Sequence, residues 1–136
     1  MSTPTVLFLC THNAGRSQMA LGFFTALAGG EAVGYSGGSE PATEVNAAAV
    51  AAMAEKGIDI TGQQPKRWTD AMLREADVVV TMGCGDTCPY VPGRRYVDWP
   101  LADPAGRPLE AVRPVRDEIE QRVRQLLGEL GVQPAD

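Results

Sequence analysis

The apolar positions of the chain fall into two rhythms. Val6-Leu7-Phe8-Leu9 runs without alternation and predicts a short strand buried on both faces, as in a parallel sheet. Val78-Val79-Val80-Thr81-Met82 is a second such run, rich in β-branched residues. After the first run the spacing turns helical. Ala20, Phe23, Phe24 and Leu27 fall at i, i+3, i+4 and i+7, and Gly29-Gly30 supplies the stop. Val33 and Tyr35 suggest another short strand ending at Gly37-Gly38. Asn46 is placed to cap a helix from Ala47 to Lys56, with Val50, Met53 and Ala54 inward and Gly57 beyond its end. Residues 58–67 read as a surface loop, Thr69 caps a short helix to about Ala76, and Arg95-Tyr96-Val97 is a fourth strand. The closing helix is expected from Pro114, in its first turn with Asp117 and Glu118, to Leu130. Its buried stripe is Val115, Ile119, Val123, Leu126, Leu127 and Leu130, while Glu118–Arg122 and Glu120–Arg124 pair on the solvated side.

Strands alternating with helices imply an α/β fold: three layers, a four-stranded parallel sheet with helices on both faces. Residues 1–136 suit one domain, with no repeat or linker. In such folds ligands bind outside the carboxyl ends of the strands.

Bulk properties narrow the function classes. A formal charge of −5 argues against nucleic acid or an anionic membrane as partner. An anionic substrate therefore needs a local cradle against an unfavourable overall charge. No apolar run approaches the roughly 20 residues of a membrane span, and no signal peptide is visible, so a cytoplasmic location is expected. Three cysteines, an odd number, point to reactive thiols rather than a secreted disulfide scaffold.

The chemistry gathers where the first strand meets the first helix, in Cys10-Thr11-His12-Asn13-Ala14-Gly15-Arg16-Ser17. Cys10 closes the strand, a polar loop with a glycine follows, and Arg-Ser opens the helix. A helix N-terminus offers free N–H groups and partial positive charge, which favour both a bound oxyanion and a thiolate. Arg16 can return over the loop and grip two oxygens of a tetrahedral anion. Ser17 can donate to the sulfur or cap the helix. His12 either helps hold the anion and tune Cys10 or faces solvent. The same cysteine–arginine spacing recurs from Cys88 to Arg94, but Pro89 and Pro92 remove N–H donors there, and that match reads as chance.

Met82-Gly83-Cys84-Gly85-Asp86-Thr87-Cys88-Pro89 places two further cysteines four positions apart. Three readings stand: half a zinc site completed by Cys10 and His12, two unrelated thiols, or a redox dithiol closing on itself. Residues four apart in a helix lie about 6 Å apart, near the upper end of the disulfide range, and Gly83 and Gly85 let the backbone adjust. The Pro/Gly-rich segment 98–106 precedes the closing helix. Asp103, followed by Pro104, is either a general acid carried over the cradle or simply a turn residue.

These residues carry a resemblance. The stretch from Cys10 to Ala20 resembles the anion loop of arsenate reductases built on the low-molecular-weight tyrosine phosphatase fold, with Arg16-Ser17-Gln18-Met19-Ala20 typical of the reductase branch. Ser36-Gly37-Gly38, Val45-Asn46, the cysteine loop ending in Cys88-Pro89, Trp99 with Asp103-Pro104-Ala105-Gly106, and Val115 to Ile119 resemble later blocks. The phosphatases would show paired tyrosines after Asp-Pro, which this chain lacks. The resemblance implies a thiol relay with no bound cofactor and no metal. Cys10 attacks arsenate held by the loop from Thr11 to Ser17, Asp103 protonates the departing oxygen, Asn13 holds the loop's shape and Ser17 supports the thiolate. Cys84 then attacks the adduct, and Cys88 resolves the resulting disulfide for thioredoxin. Alternatives are a low-molecular-weight tyrosine phosphatase, a mycothiol- or glutathione-dependent reductase with Cys84 and Cys88 as bystanders, and a non-catalytic oxyanion-binding module. A monomer is expected. Gly15 stands where many relatives carry another cysteine, and His12 where glycine is usual. Leu21 stands where some thioredoxin-linked members have an acidic residue associated with potassium binding, so no potassium dependence is expected.

Overall fold

The computed structural model of the protein describes residues 3–82 and 93–134. The four strands are β1 (Thr5–Cys10), β2 (Val33–Gly38), β3 (Val78–Thr81) and β4 (Arg95–Asp98). They form one parallel sheet in the order β2-β1-β3-β4, with Phe8 opposite both Ser36 and Val80. The four helices are α1 (Arg16–Ala28), α2 (Ala47–Ala54), α3 (Asp70–Glu75) and α4 (Leu109–Glu129).

The unbroken apolar runs explain the layering. Val6, Phe8 and Cys10 point into a large core with α1, α2 and α4, while Leu7, Leu9 and Val79 meet Trp68, Met72 and Leu73 on the opposite face. A strand with side chains buried on both sides must be central, and β1 is. Among the described residues no helix is long and apolar enough to cross a membrane.

Several element expectations shift. In α2 the buried residues are Ala49, Ala52 and Met53, whereas Val50 is half-buried and Ala54 exposed. The helix of alanines had too little contrast to fix its own rotation, and close packing against α4 chose the small side chains. Helix α4 starts at Leu109, and Pro114 lies inside it. Proline in an early turn forfeits one backbone hydrogen bond but does not end the helix. Asp117 and Glu118 consequently lie beyond the first turn, whose acidic residue is Glu110. Leu130 caps α4 and is half-buried. The segment 58–67 is not a mere surface loop: Ile60 is fully buried in the main core.

Candidate active site

Cys10 is the last residue of β1 and Arg16 the first of α1, so the loop 11–15 is a strand-to-helix turn at the carboxyl edge of the sheet. Its shape follows from where its carbonyls go. Those of Thr11, His12 and Ala14 accept from the N–H groups of Glu40, Ala42 and Asn46, which form a collar around the turn. The Asn13 carbonyl accepts from Gln18 Nε2 at 2.8 Å, and that of Gly15 accepts from Met19 N at 2.9 Å. None of these peptide bonds is cis. In a trans peptide the N–H opposes the C=O, so the N–H groups of residues 12–16 turn the other way. One of them, on Asn13, donates to Cys10 Sγ at 3.2 Å. Gly38 makes the close fit possible from below. A Cβ there would lie 2.6 Å from the Thr11 carbonyl oxygen and 2.9 Å from that of Cys10.

The sulfur's second partner is Ser17 Oγ at 2.9 Å. Asn13 Nδ2 donates to the same Oγ at 2.7 Å, which leaves the serine proton free to point at sulfur. Ser17 is fully buried within α1 and does not cap it; the cap position is Gly15, which makes no side-chain cap bond. Asn13 Oδ1 accepts from Gln18 Nε2 at 3.1 Å and from Lys66 N at 2.9 Å. Gln63 Nε2 in turn donates to Gln18 Oε1 at 2.6 Å. The segment 58–67 thus braces the loop through amides. Sequence reasoning missed Gln18 and Gln63; the only trace was a polar residue in the buried first turns of a helix.

Arg16 is 7% exposed, and its guanidinium faces the segment before α4. Nη1 donates to the Leu101 carbonyl at 3.3 Å, and Nη2 lies 3.6 Å from Asp103 Oδ2. Asp103 Oδ1 accepts from Ala105 N at 3.0 Å, so the aspartate also makes the local turn. Cys10, Arg16 and Asp103 line one cleft of about 230 Å³ together with His12, Ala14 and Gly15. Glu44 and Asn46 line it as well, and neither was singled out for this from sequence; Asn46 was recognised only as the α2 cap. His12 is exposed, and its Nδ1 lies 3.0 Å from the Glu40 carbonyl oxygen, which fixes Nδ1 as the donor.

Cys84 and Cys88 lie outside the described residues. Among the described residues no cluster of three or more His, Cys, Asp or Glu side chains could hold a metal ion. What the arrangement offers is a buried sulfur with two hydrogen-bond donors, in a ring of backbone N–H groups, with the Arg16 guanidinium and the Asp103 and Glu44 carboxylates around the cleft. Such a site suits nucleophilic attack on a tetrahedral oxyanion.

Comparison with known proteins agrees with that geometry. The family model described as low molecular weight phosphotyrosine protein phosphatase matches residues 5–135. The glutaredoxin arsenate reductase of Synechocystis is 38% identical over 92% of this chain and 97% of its own. The thioredoxin-dependent arsenate reductase of Corynebacterium glutamicum superposes with a TM-score of 0.83 at 39% identity, over 95% of this chain and 62% of that one. The YwlE arginine phosphatase of Geobacillus stearothermophilus superposes with a TM-score of 0.81 at 27% identity, over 94% of this chain and 93% of that one.

Proposed function

The chain belongs to the low molecular weight phosphotyrosine protein phosphatase family, and from that premise we propose that it is an arsenate reductase working by a cysteine relay. The observation that carries the reading is the Cys10–Ser17–Asn13 cluster beside Arg16, in a chain whose curated relatives are arsenate reductases across nearly their whole length.

In the first step Cys10 sulfur attacks arsenic(V), forming an S–As bond. The N–H groups of the loop from Thr11 to Ser17 and the Arg16 fork take up the oxyanion charge. Asp103 delivers a proton to the oxygen that leaves as water. Cys84 then attacks Cys10 sulfur: the S–As bond breaks, its electron pair stays on arsenic, and arsenite leaves as a Cys10–Cys84 disulfide forms. Cys88 attacks Cys84, releases Cys10 as thiolate and leaves Cys84–Cys88 for the external reductant. Thioredoxin is the proposed donor, by analogy with the Corynebacterium glutamicum protein, although this chain spans 62% of that one. The Synechocystis relative, named for glutaredoxin, supplies the specific competing donor.

The test is arsenite formation with thioredoxin, thioredoxin reductase and NADPH, on wild type and on Cys10→Ser, Cys84→Ser and Cys88→Ser. All three substitutions are expected to lower turnover by at least about 10²-fold, since each removes a bond-forming sulfur. Loss confined to Cys10→Ser removes Cys84 and Cys88 from the relay, whereas turnover with glutathione and glutaredoxin but not thioredoxin, still abolished by Cys84→Ser and Cys88→Ser, keeps the relay and replaces only its external donor. The family description and the arginine phosphatase neighbour favour one other reading. Phosphoester or phosphoarginine cleavage without any arsenite would establish it.

A further inference from the structure

Within residues 101–107, Pro104 alone is buried; Asp103 before it and Ala105-Gly106 after it are exposed. The ring packs against Gly15. A Cβ built on Gly15 would lie 2.6 Å from Pro104 Cγ and 3.4 Å from its Cδ, so the ring occupies the space a side chain would fill. Real Cβ atoms essentially never approach a carbon at 2.6 Å, so in this arrangement a side chain at position 15 requires the proline ring to shift. Around this seat the segment is held by Arg16, through the Leu101 carbonyl at 3.3 Å and the Asp103 carboxylate at 3.6 Å. The Asp103–Ala105 turn bond at 3.0 Å makes aspartate and proline move together.

We propose that Gly15 is a positioning residue: its bare Cα is the seat of the Pro104 ring, and that contact sets where the Asp103 carboxylate stands over the oxyanion loop. The inference rests on Asp103 being the general acid. Gly15 then acts twice, through its N–H in the anion ring and through the side chain it lacks. A displacement of about 1 Å at the acid is enough to cost a large share of its contribution, because proton transfer needs heavy-atom separations of about 2.6–3.2 Å.

The test is steady-state arsenite formation, with the reductant that supports wild-type turnover, by Gly15→Ala, Asp103→Asn, Pro104→Ala and two double variants. Gly15→Ala is expected to lower kcat by about 10- to 100-fold, within the range a general acid contributes, with KM changed less than about threefold. Asp103→Asn should lower it at least as far. Gly15→Ala/Asp103→Asn should be no worse than Asp103→Asn alone, within about twofold, because the glycine acts only through the acid. In Gly15→Ala/Pro104→Ala the ring carbons that clash are gone, and at least about fivefold of the loss should return. Losses that multiply in the first double variant, or no recovery in the second, overturn the proposal. A fully active Asp103→Asn overturns the general-acid reading itself, whatever Gly15→Ala does. Should wild type form no arsenite, the same variants are compared on p-nitrophenyl phosphate, where the same non-additivity and recovery are required.

Discussion

Asn13 holds a backbone conformation, φ +50°, that residues other than glycine and asparagine seldom adopt. Its amide sustains that conformation by accepting from Gln18 and Lys66 and donating to Ser17. Those bonds also aim the serine proton at the Cys10 sulfur, so one side chain couples loop shape to nucleophile orientation. Asn13→Ala leaves a buried Gln18 amide and the Lys66 N–H short of a partner, at a cost of about 1–3 kcal/mol in stability. Urea unfolding should show that loss, and the rate of S–As adduct formation should fall by at least about tenfold. An unaltered rate would mean the loop keeps its shape without the amide. A strand end, a glycine-bearing loop and Arg-Ser pointed to Cys10, Arg16 and Ser17 in the sequence, whereas Asp103 stayed open there between general acid and turn residue, and the fold brings it within 3.6 Å of Arg16. The Gln18–Gln63 brace was not legible, since a glutamine bonding a glutamine 45 residues away leaves no periodic mark. Nor was the Gly15–Pro104 seat: an absent side chain shows its purpose only once its neighbour is known.

At the scale of elements, helix α4 is tied to α2 by charge as well as by its apolar stripe. Arg116 is 7% exposed, and its Nη1 donates to the Ala52 carbonyl at 3.0 Å and to Glu55 Oε1 at 2.5 Å. Arg113 reaches Glu55 Oε2 at 2.7 Å. Hydrogen bonds from Arg113, then Arg116, pull the Glu55 carboxyl down to about 2. A carboxyl whose pKa is depressed on folding contributes stability above its unfolded value and loses it as pH falls through its folded value. Glu55→Gln is therefore expected to melt below wild type at pH 7, with the difference closing between about pH 4.5 and pH 2. A gap that persists at pH 2 would show the tie to be hydrogen bonding without charge. The stripe of α4 and its Glu118–Arg122 and Glu120–Arg124 pairs could be read from spacing alone. The buried Arg116 could not, because an arginine among charged neighbours looks solvated until a second helix covers it.

For the whole molecule, alternation of strands and helices was enough to give the parallel sheet and its two covered faces. Strand order needed more than the pattern: β1 is central because its side chains are buried on both faces and β2 and β3 flank it. The N–H and C=O groups of β1 are paired along both sides, with β2 from Thr5 to Cys10 and with β3 from Val6 to Leu9. The strand that carries the nucleophile is thus the one that can least easily breathe. In deuterated water its amides should be among the last to exchange, opening only with the whole fold, whereas those of residues 39–46 and 101–106 should exchange far sooner. Oxidation and reduction can then cycle at one end of a strand that never needs to loosen. Wear of the catalyst is expected to begin in the loops around the sulfur and not in its anchor.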